Sequence, residues 1–252
     1  MKFFYVWSGK KLKEISIIIA AAFFTAGILF IENSERAVFS TPGGPQAIHK
    51  ANINEKKVAL TFNISWGDKK AIPILDILKQ NKVTATFFLS APWANAHPDI
   101  IKRIVDDGHE IGNHGYRYES YPQLQNEQII KEIRTSHYIL SELTGKKLKY
   151  LRPPNGHFDK RTLKIADQLG YSIIHWSIDA NDYENPGVEV IVNNVVNNVS
   201  NGDIILMHAS DSVKQTQKAL PIILKQLKNE GYQFVTISEL IASTNAKSEE
   251  IK

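Results

Sequence analysis

Lys56–Ser90 reads KKVALTFNISWGDKKAIPILDILKQNKVTATFFLS. It opens on Val58–Asn63, an almost continuously apolar β-like run, and closes on a second such run, Ala85–Ser90. Between them Lys69–Lys79 has a helical pattern. A strand buried on both faces loses the alternation of a half-exposed one, so this unit predicts parallel strands covered by helices. The pattern continues along the chain. Glu110–His114, Lys149–Arg152, Ile173–Ile178, Asp203–His208 and Phe234–Ile237 read as strands. Pro98–Asp106, Glu127–Leu143, Lys160–Leu169, Val188–Val199 and Gln215–Asn229 read as helices. Gly108, Gly145, Gly170, Gly202 and Gly231 follow five of these helices, where a left-handed residue ends the last turn. Seven β/α repeats fit a barrel or an open doubly wound sheet, although no Gly-rich phosphate loop follows the first strand. In either architecture ligands bind at the C-terminal ends of the strands.

Outside this region the sequence divides further. Ile15–Ile31 (ISIIIAAAFFTAGILFI) carries no charge; its 17 residues would span roughly 25 Å as a helix, close to the ~30 Å core of a bilayer. Lys10, Lys11 and Lys13 precede it and Glu32 and Glu35 follow, so the run is expected to be one transmembrane helix with the N-terminus cytoplasmic and the domain outside. A cleaved signal peptide is the rival, but this apolar run is longer than usual and no small-x-small site follows it. The expected organisation is a basic tail (1–14), an anchor (15–31), a Pro/Gly-containing linker or stalk (32–55), the α/β domain (56–240) and a polar tail (241–252). Residues 1–50 hold six Lys/Arg against three Asp/Glu, so most of the net +4 lies there. The domain itself has no electrostatic footprint for nucleic acid. With no cysteine, disulfides, thiolate zinc sites and thiol nucleophiles are excluded.

The last residues of the β-runs carry the chemistry. They are Asn63 and Ser65, then His114, then Arg152-Pro153-Pro154, then Asp179 and Asp182, and finally His208. Each alone has an ordinary structural explanation: a satisfied histidine, a buried ion pair, a turn. Five such ends on one rim point to a functional pocket.

Five segments in this order resemble the motifs of the polysaccharide deacetylase (NodB-homology) family. They are Ala59-Leu60-Thr61-Phe62-Asn63, His109–Tyr118 (HEIGNHGYRY), Arg152-Pro153-Pro154-Asn155-Gly156, Trp176–Tyr183 (WSIDANDY) and Ile204–His208 (IILMH). The spelling Thr-Phe-x-Ile-Ser-Trp-Gly and the apolar N-terminal run further resemble the PdaB-type, sporulation-associated branch. The resemblance implies a distorted (β/α)7-type barrel, preceded here by the transmembrane helix. It implies a zinc-like divalent metal held by one Asp and two His, and hydrolysis of N-acetyl groups on cell-wall or spore-cortex amino sugars.

Carried over residue by residue, the acid half is present. His208 matches the general acid, Asp182 its orienting carboxylate, and Arg152 the cation facing the base position. Pro154, Asn155, Tyr183, Leu206 and Trp176 match substrate-lining positions. The metal half departs from the pattern. Asn63 stands in the base position, Ile64 in the metal-Asp position under the simplest alignment, and Tyr118 in that of the second His. Only His114 remains as a ligand, so the metal itself is in doubt. Asp68 is expected to cap the following helix, and His109 and Glu110 to lie at the wrong end of the barrel for catalysis. Three functions compete: a weak or altered deacetylase, a membrane-anchored glycan-binding scaffold, and a metal-free glycosidase. The last is disfavoured because its only carboxylate pair, Asp179 and Asp182, shares one loop.

Overall fold

The strand Lys57–Ile64 (β4) organises the fold, as its apolar spelling predicts. The computed structural model describes residues 44–243, the backbone of Ser40–Thr41 (β1) and Asn245–Ser248 (β12), and Ile19. All strands below belong to one compact unit, Phe39–Lys252. The remaining strands are Gly44–Pro45 (β2), Ile48–Asn52 (β3), Thr86–Leu89 (β5), Glu110–Asn113 (β6), Tyr150–Leu151 (β7), Ser172–Ile173 (β8), Ile178–Asp179 (β9), Ile204–His208 (β10) and Gln233–Val235 (β11). The main sheet has the order β8-β7-β6-β5-β4-β10-β9, with β11 also pairing β4. Every pairing in it is parallel.

The sheet curls into a half-barrel, a coarser form of the expected (β/α)7 barrel. Along β4 the side chains alternate between two environments. Val58, Leu60, Phe62 and Ile64 face the outer core with Phe87 and Leu89 and with helix residues such as Ile74, Leu78 and Leu224. Ala59 faces an inner cluster with Phe88, Ile204 and Ile48. Burying each large side chain contributes about 1.5–3 kcal/mol, so the two-sided burial of β4 holds sheet and helices together. Further along the inner face come the polar Thr61 and Asn63, both buried. The barrel interior therefore changes from apolar to polar toward the strand ends.

Four differences from the sequence reading have physical causes. The second half of the predicted stalk is folded: β3 places Ile48 and Ala51 in the interior and pairs antiparallel with β12, so the predicted polar tail is also partly a strand. β3 also bonds beyond the edge strand β8 (His175 N–H to Ile48 C=O, 2.7 Å) and ahead of β10 (Ala51 N–H to Gly202 C=O, 2.8 Å). The predicted strand Ile173–Ile178 is split into β8 and β9, with β3 inserted at the break. Short helices at Ala91–Ala96 and Ile237–Ala242 were not legible; the second replaces the end of the predicted strand Phe234–Ile237. Among the described residues no helix is long and apolar enough to cross a membrane. The predicted anchor Ile15–Ile31 lies outside the described residues except for Ile19.

Candidate active site

Arg152 is the centre of the site. β7 ends at Leu151, and the Arg152 N–H donates to Asn113 C=O at 2.9 Å, which directs its side chain inward. It is the largest fully buried side chain of the described residues. Its Nη1 donates to Thr61 Oγ1 (2.9 Å) and Asn63 Oδ1 (3.0 Å). Nη2 donates to His175 C=O (3.0 Å) and Nε to Ile174 C=O (3.2 Å). The guanidinium lies over the Phe88 ring at 4.1 Å. Room for that ring depends on Gly112, where a Cβ would sit 2.4 Å from it. All four hydrogen-bond acceptors are neutral. Burial pulls the guanidinium down from 12.5 to about 9, opposed by the Asp179 charge, so it stays charged at neutral pH.

His114 is also fully buried. Its Nδ1 lies 2.6 Å from Arg152 C=O. A carbonyl only accepts, so Nδ1 carries the proton and Nε2 the lone pair. Burial lowers this imidazole to about 3, and Nε2 is buried without a partner. A metal-ligating histidine is held in this way, yet among the described residues no second and third ligand join it. Tyr118 meets the His114 ring edge-on at 5.4 Å, and its hydroxyl bonds the Ser65 side chain. Ile64 corrects the simplest alignment: it shares the outer hydrophobic core with Phe62. One residue further, on the Asn63 side of the alternation, stands Ser65. One imidazole with the hydroxyls of Ser65 and Tyr118 is too poor a donor set for a tight divalent site. Among the described residues no group of three His, Cys, Asp or Glu could hold a metal ion. The chain does not fit the metal that its family uses.

His208 and Asp182 are bonded to each other at the end of β10. His208 Nδ1 donates to Asp182 Oδ1 at 2.7 Å. Asp182 Oδ2 accepts from the His208 N–H (2.8 Å) and from Thr216 Oγ1 (2.7 Å). This carboxylate is fully buried and all three bonds orient the imidazole. The Tyr183 ring stands edge-on to His208 at 5.5 Å and is exposed. Asn63 and His208 are register partners on β4 and β10, which joins the two halves of the site; Leu206 pairs with Thr61 and with Asp179. Burial raises the Asp179 carboxyl, partly offset by the Asn181 N–H. Trp176 is half-buried, stacks on His175 at 3.8 Å and lies 5.5 Å from the Arg152 guanidinium. Pro154 is buried and Asn155 is an exposed residue with positive φ (56°).

Two expectations about neighbouring residues have different outcomes. Asp68 is exposed and does not cap the helix Ala71–Gln80. Asp211 does, accepting from the Lys69 and Lys70 N–H groups at 2.9 Å each. His109 and Glu110 do lie at the strand starts, lining a cleft of about 260 Å³ with Lys147 and Tyr150. Glu110 there accepts from Thr86 and Ser238. Thr61, Ser65 and Thr216 belong to the site and were missed as site residues or given no role. Period-two counting from Asn63 along β4 finds the first two; Thr216 is joined to Asp182 only by the fold.

Comparison with known proteins fits this geometry. The family model for polysaccharide deacetylase matches residues 50–174. A peptidoglycan-N-acetylglucosamine deacetylase of Bacillus cereus is 37% identical over 191 residues, which cover 75% of this chain and 89% of that protein. The chain belongs to the polysaccharide deacetylase family. Another relative, the uncharacterized protein YlxY of Bacillus subtilis, is 32% identical over 79% of this chain; the chain spans 62% of its length. Among solved structures, a CE4-family pseudoenzyme of Bacillus anthracis is 32% identical with a TM-score of 0.75, covering 81% of this chain and 72% of that one. A mutant of that pseudoenzyme, described as having restored enzymatic activity, matches with the same TM-score of 0.75 over 74% of its chain. The family generally uses a divalent metal.

Proposed function

We propose that this member of the polysaccharide deacetylase family binds amino-sugar glycans of the cell wall or spore cortex and has lost efficient N-acetyl hydrolysis. The observation that carries the reading is Asn63 held against Arg152 at 3.0 Å. Attack on an acetamide needs a polarised carbonyl, a base for the water and a proton for the leaving amine. Asn63 is a neutral amide and cannot take the water's proton, and the donors around His114 do not form a metal site. The His208–Asp182 dyad supplies only the last requirement. The peptidoglycan-acting relative from Bacillus cereus supports the ligand class, and the Bacillus anthracis pseudoenzyme supports the loss of activity.

Two parts of the reading rest on the sequence. The uncharged run Ile15–Ile31, with lysines before it and glutamates after it, supports a single-pass anchor with the domain outside the cytoplasm. The PdaB-like spelling of the first motif supports a sporulation setting. The test is acetate release from N-acetylglucosamine oligomers by the full chain in detergent, beside sedimentation of the same protein with insoluble peptidoglycan. Binding without acetate is the expected result. Acetate release at the rate of an active family member would overturn the reading, and absence of both would remove the glycan ligand. A mature N-terminus beyond residue 34 on protein taken from cells would overturn the anchor.

A further inference from the structure

The cleft of about 260 Å³ at the strand starts lies at the other end of the barrel from the candidate active site. His109 lines it and is only 2% exposed. The Ala85 N–H donates to His109 Nδ1 at 3.2 Å. A backbone amide only donates, so Nδ1 carries the lone pair, the ring is neutral and its proton sits on Nε2. That Nε2–H is buried, and among the described residues nothing accepts it. Folded proteins seldom leave such a donor without water, an ion or a ligand to complete it.

Three exposed lysines, Lys146, Lys147 and Lys149, line the same cleft. Among the described residues none of their ammonium groups has an ion pair. Lys146 and Lys147 follow the end of the helix Asn126–Thr144, where positive charge is favoured. That explains neither Lys149, beyond the buried Leu148, nor the unanswered His109. Glu110 is the one acidic residue of the lining. Its oxygens already accept from Thr86 Oγ1 (2.8 Å) and from the Ser238 N–H and hydroxyl, so three cations face one engaged carboxylate. Tyr150 adds a half-buried ring.

A phosphomonoester matches this set. It carries about −1.5 to −2 charge at pH 7 and strong acceptor oxygens. Lysines hold phosphate as point charges, and a neutral N–H completes the shell. The volume is just below the roughly 300–1,000 Å³ of common small-molecule sites, which leaves room for a short carbon skeleton beside the phosphate. We propose that this cleft binds the phosphomonoester of a small polyol or sugar, with Lys146, Lys147, Lys149 and the His109 N–H as donors. The site shares no residue with the glycan rim and does not rest on the glycan reading.

The test is calorimetric titration of the full chain in detergent at pH 7 and about 0.15 M salt. The probes are glycerol 3-phosphate and dihexanoyl phosphatidic acid, a lipid with the same headgroup. Glycerol 3-phosphate should bind with a Kd of about 1 mM or tighter. Binding of it alone assigns a free phosphorylated ligand, and binding of both admits a lipid headgroup; each supports the site. Lys147→Ala with Lys149→Ala should weaken binding about tenfold or more. His109→Asn, whose Oδ1 still accepts from Ala85, should weaken it about tenfold. Glu110→Gln should tighten it, a sign that simple loosening of the cleft would not give. Lys218→Ala with Lys225→Ala, on the exposed face of the helix Thr216–Asn229, matches the charge change and should have no effect. Melting curves establish that the variants fold. No binding by the parent, unchanged affinity after either cleft substitution, an equal loss in the Lys218/Lys225 control, or competition by N-acetylglucosamine tetramer would overturn the proposal.

Discussion

Replacing Asn63 by Asp should stabilise this protein. In the structure Arg152 is a fully buried cation whose hydrogen-bond acceptors are Thr61, Asn63 and two backbone carbonyls, none of them charged. A carboxylate at position 63 would place an oxygen where Asn63 Oδ1 now lies, 3.0 Å from Nη1. Two unit charges at that separation attract by about 5 kcal/mol at an effective dielectric constant of about 20. Removing the carboxylate from water costs several kcal/mol, leaving a net gain of about 2 kcal/mol. For a domain of this size that corresponds to a rise of about 4–8 °C in Tm. The gain has a defined pH dependence. Arg152 holds the new carboxyl below its unfolded pKa of about 4. The stabilisation is therefore complete above that value and is lost as pH falls toward the folded pKa. Thermal melts of parent and variant at matched pH between 3 and 7 measure the difference, and the titrations common to both cancel. An unchanged or lower Tm at pH 7, or a gain that persists undiminished at pH 3, would refute the picture of Arg152 as a buried cation with no charged hydrogen-bond partner.

Other consequences follow from single features. Burial lowers His114 to about 3 and His109 and His175 to about 4, from 6.5. A histidine depressed on folding contributes stability above the unfolded pKa and loses it as pH falls through the window to the folded value. Three such groups make stability fall below pH 6.5 with a slope approaching about 4 kcal/mol per unit near pH 5; urea unfolding at pH 5, 6 and 7 should show it, and equal stabilities would contradict it. Gly202 has φ +80°, and a Cβ there would lie 1.8 Å from Ala51 C=O. Gly202→Ala should therefore cost about 3 kcal/mol or more, read as a fall in Tm, because β3 would have to leave the start of β10. Asp211→Ala should cost about 1 kcal/mol through the lost helix cap, whereas the exposed Asp68→Ala should stay within about 0.5 kcal/mol; equal effects would refute the assignment of the cap.

Legibility followed the range of the interaction that fixes each element. Val58–Asn63 and Ala85–Ser90 are buried on both faces, so their spelling alone marks them, and the strand ends then bring Asn63, His114, Arg152 and His208 to one rim. β3 (IHKAN) has only two strongly buried residues, Ile48 and Ala51, and exists because it spans between the end of β8 and the start of β10. Nothing local announces it. Asp211 is of the same kind, capping a helix through Lys70, 141 positions earlier. Ile64 was a different matter, since the period-two alternation of β4 contained the answer. Matching letters to a family motif placed Ile64 at the metal; the pleat turns it into the outer core and gives Ser65 the position beside Tyr118.

Metal binding tests the central claim most directly. Full-length protein, titrated with zinc in detergent at micromolar concentration, should retain less than one equivalent after desalting. Asn63→Asp, Ser65→Asp and Tyr118→His introduced together should bring it to about one, because Tyr118 lies against the His114 ring and Ser65 bonds Tyr118. The same set with Ile64→Asp in place of Ser65→Asp should not. Stoichiometric zinc on the parent protein, or recovery through position 64 and not 65, would contradict the account.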